Sequence, residues 1–317
     1  MTHKSCNGQA SPTLGSGLSH KPCYPVNMIR TEIGVMAHNE AANLPRLLDR
    51  LLSEPGDHRV HVISSGSTDG TNEIVQNLVT IHPRLSLTVE PSRRGKARAI
   101  NRFLSTLSEH TERCVIISAD VLPRPGALAQ LLAPLDDARV HMTGARPCPT
   151  NPTDTLVDRI VHLQWTLHDR IARVRPKLGE MVAFRPPVDP LDPETAVDEA
   201  AIEAQLTAEQ GQLVYVPQAE VLNRGPRTWR DLLAQRERIW VGHLRLRKRT
   251  GYRVSTYRIQ DLIGPAIRLL IEQPRRLPEM IAGAVVEMIA RFRGSIKHRI
   301  LGQLPTVWPV LLSAKIQ

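Results

Sequence analysis

Residues 32–40 read Glu32-Ile33-Gly34-Val35-Met36-Ala37-His38-Asn39-Glu40, an apolar run that gives way to three polar side chains. The alternation of Ile33 and Val35 predicts a short buried β-strand that ends near Ala37. In open α/β sheets ligands bind outside the carboxyl ends of the strands. The polar cluster that follows this strand therefore marks a candidate binding edge.

Strands and helices alternate outward from this stretch. Leucines between residues 44 and 52 recur at helical spacing, and the predicted helix ends near Pro55. The other elements predicted in the first half are strands at 60–63, 85–89 and 115–117 and helices at 74–79 and 97–107. Alternation at these lengths is typical of βαβ units, so we expect an α/β fold with a mostly parallel sheet flanked by helices.

The second half is mainly helical in pattern. Thr228 and Asp231 have the spacing of a helix N-terminal cap and predict a helix that reaches about Arg247. The other predicted elements are helices at 156–171 and 196–206, a strand at 213–216, and amphipathic helices with arginine-rich edges from 261 to 292. We expect His162 and His168 on a helix surface. The predicted organisation is a flexible tail at 1–28, an α/β domain at 29–248 and a C-terminal helical extension at 249–317.

Composition restricts the classes of partner. The chain has 317 residues and a formal net charge of +10, from 41 Lys and Arg against 31 Asp and Glu. This charge favours an anionic partner, such as a phosphate-bearing substrate or an acidic membrane face. Aromatic residues make up only 3% of the chain, which leaves few platforms for base stacking. We therefore do not expect nucleic acid as a partner.

Cysteine usage and hydropathy address the compartment. The four cysteines show no C-x-x-C spacing, which argues against a disulfide framework and indicates a reducing compartment. No run of about 18 apolar residues occurs, so no transmembrane helix is predicted. The basic amphipathic helices near the C-terminus can lie on an anionic bilayer or pack on the α/β domain. We expect a cytoplasmic protein with peripheral contact to the inner face of the membrane.

Several nucleotide-binding motifs are excluded by spacing. Gly95-Lys96 resembles the end of a P-loop, but Glu90 stands where the first glycine is required and Ala97 where Ser or Thr is required. No G-x-G-x-x-G follows the first strand, which excludes the dinucleotide-binding fingerprint.

The polar residues after the strands suit a nucleoside diphosphate. Asn39 and Glu40 can form hydrogen bonds to a base or ribose, and Arg94 and Lys96 can bind diphosphate oxygens. Asp120 follows the fourth strand and is a hard oxygen ligand for Mg²⁺ or Mn²⁺. Taken alone, an aspartate in this position is more often a turn or cap residue. The ordered combination of these residues favours a diphosphate-binding site.

That combination resembles the family 2 glycosyltransferases, which are inverting enzymes with the GT-A fold. The family motifs are NE, DDGSTDGT, GKAxAxN, D-x-D, an acidic pair followed by G…Y.P.A.V, and QxxRW. The matching stretches are Ala37-His38-Asn39-Glu40, 64–71, Gly95-Lys96-Ala97-Arg98-Ala99-Ile100-Asn101, Ser118-Ala119-Asp120, 197–221 and Gln235-Arg236-Glu237-Arg238-Ile239. The resemblance runs from about Ile29 to Lys248 and implies that residues 29–248 form a GT-A domain.

The resemblance also implies roles for particular residues. Asp198 and Glu199 form the acidic pair that supplies the catalytic base, and which of the two acts is open. A pair of carboxylates at a helix N-terminus also complements the helix dipole, so that alternative stays open too. The metal ligands implied are Asp120 and Asn223. The residues expected to bind the donor are Ala37, Asn39, Glu40, Ser65, Lys96, Asp120, Glu180, Gln235 and Arg238.

Four positions depart from the family pattern. Ser65 stands in place of an aspartate that contacts uracil, and Ser118 replaces the first aspartate of D-x-D. Asn223 occupies the place of a histidine that helps to bind metal or diphosphate, and Ile239 replaces the tryptophan of QxxRW. The resemblance implies transfer of a sugar from a nucleoside diphosphate sugar to a lipid-linked or saccharide acceptor, assisted by Mg²⁺ or Mn²⁺. Ser65 and Ser118 keep an alternative open, a degenerate domain that binds nucleotide or a partner without turnover.

Overall fold

An eight-stranded β-sheet organises residues 30–257 and 259–301, the part of the chain that the computed structural model describes. The predicted tail at 1–28 and residues 302–317 of the predicted extension lie outside the described residues. The strands are β1 (Arg30–Ala37), β2 (His58–Ser65), β3 (Leu85–Glu90), β4 (Thr111–Ser118), β5 (Leu122–Pro123), β6 (Val140–Pro149), β7 (Met181–Phe184) and β8 (Gln212–Asn223).

Helices cover the sheet and form the C-terminal part of the described chain. They are α1 (Leu44–Ser53), α2 (Thr71–Ile81), α3 (Lys96–Leu104), α4 (Ala127–Leu132), α5 (Leu156–Ala172), α6 (Asp198–Ala208), α7 (Trp229–Thr250), α8 (Ile259–Glu272) and α9 (Leu277–Leu301). Short 3-10 helices span Ala133–Asp136, Ser255–Tyr257 and Pro274–Arg276. The predicted cap of α7 is confirmed, because the Thr228 side chain accepts a hydrogen bond from Asp231 N.

The strand order across the sheet is β3-β2-β1-β4-β7-β6-β8-β5. The first four strands along the chain pair in parallel, as predicted, and so do β6 and β8. The short strand β7 lies antiparallel between β4 and β6, and β5 lies antiparallel to β8. The predicted α/β class with a mostly parallel sheet is confirmed. The carboxyl ends of β1, β2 and β4 meet at one edge, where the polar loops lie.

The two faces of β1 explain how helices pack on both sides of the sheet. Ile33 and Val35 are fully buried in the apolar cluster that includes α1 and α2, whereas Met36 belongs to the cluster beneath α3. Gly34 allows α3 to approach closely, because a Cβ atom there would lie 2.6 Å from Phe103 Cδ1. Complete burial of each such aliphatic side chain stabilises the fold by about 1.5–3 kcal/mol.

The last helices are attached to the α/β body through buried charges as well as apolar contacts. Helix α9 packs against α5 and α7, and α8 packs against α5. Arg159 on α5 pairs with Glu279 on α9 at 2.9 Å. The boundary predicted at residue 248 falls within the last turn of α7. Within the described residues, no helix is both long enough and apolar enough to cross a membrane.

Candidate active site

The loops after the parallel strands open into one cavity of about 720 Å³. Its walls also include the start of α6, the end of β8 and the inner face of α7. Every site residue predicted from the sequence lines this cavity except Asn39 and Arg94; those that do are Ala37, Glu40, Ser65, Lys96, Asp120, Glu180, Asp198, Glu199, Asn223, Gln235 and Arg238. Residues separated by up to about two hundred positions in the chain are thus brought together at one sheet edge.

Asn39 holds the first two strand-end loops together. Its side-chain oxygen accepts a hydrogen bond from Thr68 N at 2.8 Å, and its backbone N–H donates to Ser67 Oγ at 3.0 Å. The backbone has φ +54°, a left-handed conformation that asparagine adopts more readily than most residues. Beside it, Glu40 N donates to Thr71 Oγ1 at 2.9 Å. The contribution of Asn39 to the site is therefore to fix the loop that carries Ala37 and Glu40.

Ser65 is turned toward the third strand. Its hydroxyl donates to Glu90 Oε2 at 2.8 Å, while its carbonyl oxygen lies 2.8 Å from His38 Nδ1. The next residue, Gly66, has φ +62°, and a Cβ atom there would lie 2.4 Å from Arg93 N. The absence of a side chain at Gly66 therefore lets the loop after β3 close over the loop after β2.

The arginine that lines the cavity near Lys96 is not the one predicted from the sequence. Arg94 is exposed and does not line the cavity, whereas Arg93 does, so the sequence-based choice of Arg94 was wrong. Burial lowers the pKa of the Arg93 guanidinium from its usual value. No local pattern distinguishes two adjacent arginines, and the close contact of the loop with Gly66 decides which one faces inward.

Lys96 and the acidic pair form a compact charged cluster. Lys96 Nζ lies 2.6 Å from Glu199 Oε1 and 3.8 Å from Asp198 Oδ2. Burial would lower the pKa of Lys96, but the two carboxylates outweigh burial and raise it, so the ammonium stays charged. Both carboxylates lie in the first turn of α6, where they also face the positive end of the helix dipole.

The two carboxylates differ in their surroundings. Burial raises the pKa of Asp198, and attraction to Lys96 offsets this only in part. Burial also tends to raise the pKa of Glu199, but the direct contact of this residue with Lys96 outweighs burial and lowers the pKa. Asp198 Oδ1 is buried and has no hydrogen-bond partner among the described residues. Asp198 thus keeps an oxygen available to accept a proton, whereas Glu199 is bound to the lysine.

Glu180 adds a third carboxyl group to this wall of the cavity. Burial, together with the nearby charges of Glu199 and Asp120, raises its pKa to about 7 against the opposing effect of Lys96. Its backbone has φ +62°. Non-glycine residues held in this conformation are uncommon and are found most often where the surrounding structure requires a particular side-chain direction.

Asp120 and Asn223 both line the cavity and lie on neighbouring parts of the backbone. The Asp120 turn is fixed by Ala119 N, which donates to Met36 O, and by Val121 N, which donates to Ser118 O. Leu122 pairs with Leu222 in the antiparallel β5–β8 ladder, which brings the residues just before β5 next to Asn223.

The oxygen atoms of this pair fit a divalent cation. Asp120 is exposed to the cavity, and Asn223 Oδ1 is buried without a hydrogen-bond partner in the described chain. Carboxylate and amide oxygens are the ligands that Mg²⁺ and Mn²⁺ take, with substrate phosphates completing the shell. No cluster of three His, Cys, Asp or Glu side chains suited to a metal occurs in the described residues.

Helix α7 supplies another part of the cavity wall. Gln235, Arg238 and Ile239 all line the cavity. Burial lowers the pKa of Arg238, while the nearby charges of Asp198 and Asp120 act in the opposite direction. Arg238 Nε is buried and makes no hydrogen bond to the described residues. A buried guanidinium with an unused donor is suited to a ligand phosphate.

The inner part of the cavity contains groups that the sequence did not predict. His168 is buried, with both ring nitrogens lacking a hydrogen bond within the described chain, so its predicted position on the helix surface was wrong. Burial lowers the pKa of His168 to about 3, and that of His243 likewise to about 3. His243 packs against Tyr257 with ring centroids 4.5 Å apart. One signal was available: His168 lies three residues before Ile171 on the apolar stripe of α5.

Comparison with known proteins agrees with this class of fold and site. Residues 32–181 match the model of glycosyl transferase family 2. The resemblance in the strand-end motifs is thereby confirmed for residues 32–181, which are similar in sequence to this family.

Individual relatives are more distant. The succinoglycan biosynthesis protein ExoA of Rhizobium meliloti (strain 1021) is 34% identical over 83 residues, which are 26% of this chain and 25% of the relative. The match thus spans only a quarter of that protein's length.

Solved structures extend the likeness to most of the fold. The mannosyltransferase PcManGT from Pyrobaculum calidifontis, in complex with GDP-Man and Mn²⁺, superposes with a TM-score of 0.59 at 22% identity, covering 89% of this chain and 78% of the other. Glucosyl-3-phosphoglycerate synthase from Mycobacterium tuberculosis, with Mn²⁺, UDP-Glc and phosphoglyceric acid, gives a TM-score of 0.50 at 19% identity, with 74% and 86% covered. The fold is therefore GT-A.

Proposed function

We propose that the chain transfers a sugar from a nucleoside diphosphate sugar to an acceptor hydroxyl, with inversion and with the help of Mg²⁺ or Mn²⁺. The observation that carries this proposal is the convergence of Asp120, Lys96 and the Asp198-Glu199 pair in one cavity. The solved neighbours with GDP-Man or UDP-Glc and Mn²⁺ support the donor class and the metal.

On the donor side, negative charge develops on the leaving diphosphate. A divalent cation held by Asp120 and Asn223 would neutralise part of that charge as a Lewis acid. Arg238 projects a buried guanidinium toward the same space, and its unused Nε–H can donate to a phosphate oxygen. Arg93 adds a second cation on the wall formed by the loop after β3. Such preorganised charges act most strongly where the charge of the transition state appears.

On the acceptor side, a base must take the hydroxyl proton as the oxygen attacks. Asp198 has the raised pKa and the unpaired oxygen, so we assign it as the base, and Glu199 as the partner that positions Lys96. The acceptor oxygen forms the new bond to the anomeric carbon while the bond to the diphosphate breaks with its electron pair. The proton moves to Asp198. Attack on the face opposite the leaving group inverts that carbon.

A second candidate function is nucleotide binding without turnover. It is favoured by the Ser65 hydroxyl, which is hydrogen-bonded to Glu90 and lies where family members carry a base-contacting aspartate. Ser118 likewise leaves Asp120 as the single carboxylate of the D-x-D position. Under this alternative the cavity holds nucleotide, and no donor sugar is consumed.

The test measures binding and turnover separately. Titration calorimetry of GDP and UDP with and without Mn²⁺ reports binding, and release of nucleotide from a panel of nucleoside diphosphate sugars reports turnover. We expect Mn²⁺ to tighten nucleotide binding in the wild type and in Asp49→Asn, an exposed control on α1, but not in Asp120→Asn. Metal-dependent binding that survives Asp120→Asn contradicts the metal site. Tight binding with no release from any donor favours the second candidate.

The acceptor and the location belong to the same proposal. A lipid-linked or saccharide acceptor would approach Asp198 from the inner part of the cavity, and the protein would act at the cytoplasmic face of the membrane. The support for this position is the surface of α8 and α9.

A further inference from the structure

The outer surface of α8 and α9 carries a row of large exposed apolar side chains. Large apolar side chains there recur every three or four residues, which places them in one stripe along each helix. The exposed members of this outer stripe are Ile263, Ile267, Ile271, Leu277, Ile281, Val285, Met288, Ile289, Phe292 and Ile296. Contiguous apolar surface of this kind marks an interaction site in a folded protein.

The charges of α9 point inward, which is the reverse of a helix that faces water. Glu279 pairs with Arg159 at 2.9 Å, and Glu287 pairs with Arg236 at 2.8 Å. Both partners lie on helices of the α/β body. These inner ion pairs fix the rotation of α9 about its axis, so the outer stripe cannot turn toward the protein without breaking them.

Cations surround the outer stripe. In α8, α9 and the turn between them, the exposed basic side chains that make no ion pair to the described α/β body are Arg268, Arg275 and Arg299, whereas Arg293 and Lys297 are partly exposed but pair with Glu237 on α7. The exposed carboxylate among residues 260–299 is Glu272, which pairs with Arg170. A basic margin around an apolar surface complements the anionic headgroups that overlie the acyl layer, and each such cation contributes about 1 kcal/mol near the membrane surface.

The cavity of the active site reaches the same surface. It continues into a chamber between α5, α8 and α9, which we define by the apolar residues Val161 and Leu163 on α5, Leu262 and Ala266 on α8, and Met280 and Ala284 on α9. The ion pair of Arg236 with Glu287 also lines the cavity. Ala284 lines the chamber and is also exposed beside Val285 of the outer stripe. The chamber therefore opens at the margin of the stripe.

We propose that the outer stripe inserts into an anionic phospholipid bilayer and that the chamber receives the apolar chain of an acceptor carried in that bilayer. The role of the chamber rests on the proposed transfer activity, whereas insertion of the stripe does not. The acceptor class is a hydroxyl group on a long aliphatic chain. Its chain lies between α5, α8 and α9, and its polar end lies near Asp198.

Insertion of the stripe is tested with vesicles and the full chain. Wild type should sediment with phosphatidylcholine–phosphatidylglycerol vesicles and less with pure phosphatidylcholine vesicles. Ile271→Glu and Phe292→Glu should reduce the bound fraction at least about tenfold, because a charge in the apolar layer costs more than 1.4 kcal/mol. Ile81→Glu and Val174→Glu, which alter equally exposed apolar residues elsewhere, should bind as wild type does. Thermal melting checks that each variant is folded.

The outcomes of this experiment decide the proposal. If the wild type does not bind anionic vesicles, the proposal is overturned. This holds whether the stripe is covered by a second copy of the chain or by residues 302–317. Light scattering identifies the second copy, because a dimer that Phe292→Glu converts to a monomer assigns the stripe to self-association. Equal losses in the stripe variants and in the Ile81→Glu and Val174→Glu controls also overturn it.

The chamber is tested with a matched pair of glycine variants. A Cβ atom at Gly283 would lie 3.6 Å from Ile160 Cγ2, an ordinary contact, so Gly283→Leu extends a side chain into the chamber. Gly264 on α8 has nothing within 4 Å of such an atom and does not line the chamber, which makes Gly264→Leu the control. A pyrene-labelled long-chain alcohol should bind the wild type saturably. We expect Gly283→Leu to bind the alcohol at least about tenfold more weakly than the wild type, as for other small changes in apolar pockets.

The readouts separate the two proposals. Titration of GDP or UDP on the same preparations should be unaffected by Gly283→Leu, because the donor loops do not contact that glycine. If the protein binds the alcohol and the vesicles but no nucleotide, the proposed transfer function is contradicted and the proposed membrane surface is still supported. Nucleotide binding and turnover without saturable alcohol binding, or equal weakening by both glycine variants, overturns the chamber assignment.

Discussion

The ammonium of Lys96 lies 2.6 Å from the Glu199 carboxylate, although the two residues are 103 positions apart in the chain. Lys96 begins α3 directly after the loop that follows β3, and Glu199 lies in the first turn of α6. The contact therefore joins the donor-side loops to the helix that carries the proposed base. The contact also gives the two adjacent carboxylates different pKa values, because the lysine lies closer to Glu199 than to Asp198.

Removal of this cation should change the pH dependence of transfer. Lys96→Met leaves the carboxylates of Asp198, Glu199 and Glu180 without the ammonium that lowers their pKa values. The base must be ionised to act, so the acidic limb of the pH–rate profile should move to higher pH. We expect turnover to fall about a hundredfold, as on loss of other preorganised charges. Lys248→Met, at the exposed end of α7, is the control, and an unmoved acidic limb in Lys96→Met contradicts this account.

The two carboxylates of α6 should give different losses. Asp198→Asn removes the proposed base and should lower turnover about 10²- to 10⁴-fold while nucleotide affinity stays near that of the wild type. Glu199→Gln keeps the base and loses only the ion pair with Lys96, so its loss should be smaller. Steady-state kinetics and nucleotide titration measure both effects. A larger loss in Glu199→Gln than in Asp198→Asn would assign the base to Glu199.

Local sequence patterns were sufficient for the first half of the fold. Alternating apolar residues such as Ile33 and Val35, and leucine spacing in α1, depend only on neighbours in the chain. Strand β6 was not predicted, because Val140 and Met142 are followed by Gly144 and by two prolines within Val140–Pro149. Its strand conformation depends on pairing with β8, which begins more than sixty residues later. Such long-range pairing is not encoded in a short window of sequence.

The site residues also fall into those that local sequence could predict and those that depend on packing. Residues that follow strands, such as Lys96 and Asp120, were predicted because their position after a strand and the motif order specify the edge of the sheet. Arg93, His168 and the inner face of α9 were not, since their direction depends on which helix or loop packs beside them. The amphipathic pattern of α9 was recognised, but the sequence did not reveal that its charges face inward.

Glu180 should make stability depend on pH. Its pKa is raised to about 7 in the folded protein, so folding favours the protonated form. The stabilising contribution is fully present below the unfolded value, which is near 4.3 for glutamate, and is lost as the pH rises through about 7. Glu180→Gln, which stays neutral, should therefore melt at a higher temperature than wild type at about pH 8 and at a similar temperature at about pH 4. Melting curves across this range test the sign, and a variant less stable at the higher pH contradicts it.

The close approach of the two donor loops should be sensitive to a single methyl group. In Gly66→Ala the new Cβ atom would lie 2.4 Å from Arg93 N, so one of the loops must move. Gly70 also has a positive φ, but a Cβ atom there meets nothing within 4 Å, so Gly70→Ala isolates the cost of the conformation, about 1–2 kcal/mol. We expect Gly66→Ala to lose more stability than Gly70→Ala and, unlike it, to weaken nucleotide binding because Arg93 is displaced. Urea unfolding and nucleotide titration measure the two effects. Equal behaviour of the two variants would mean that the loops adjust without moving Arg93, and that this arginine does not depend on Gly66 for its position.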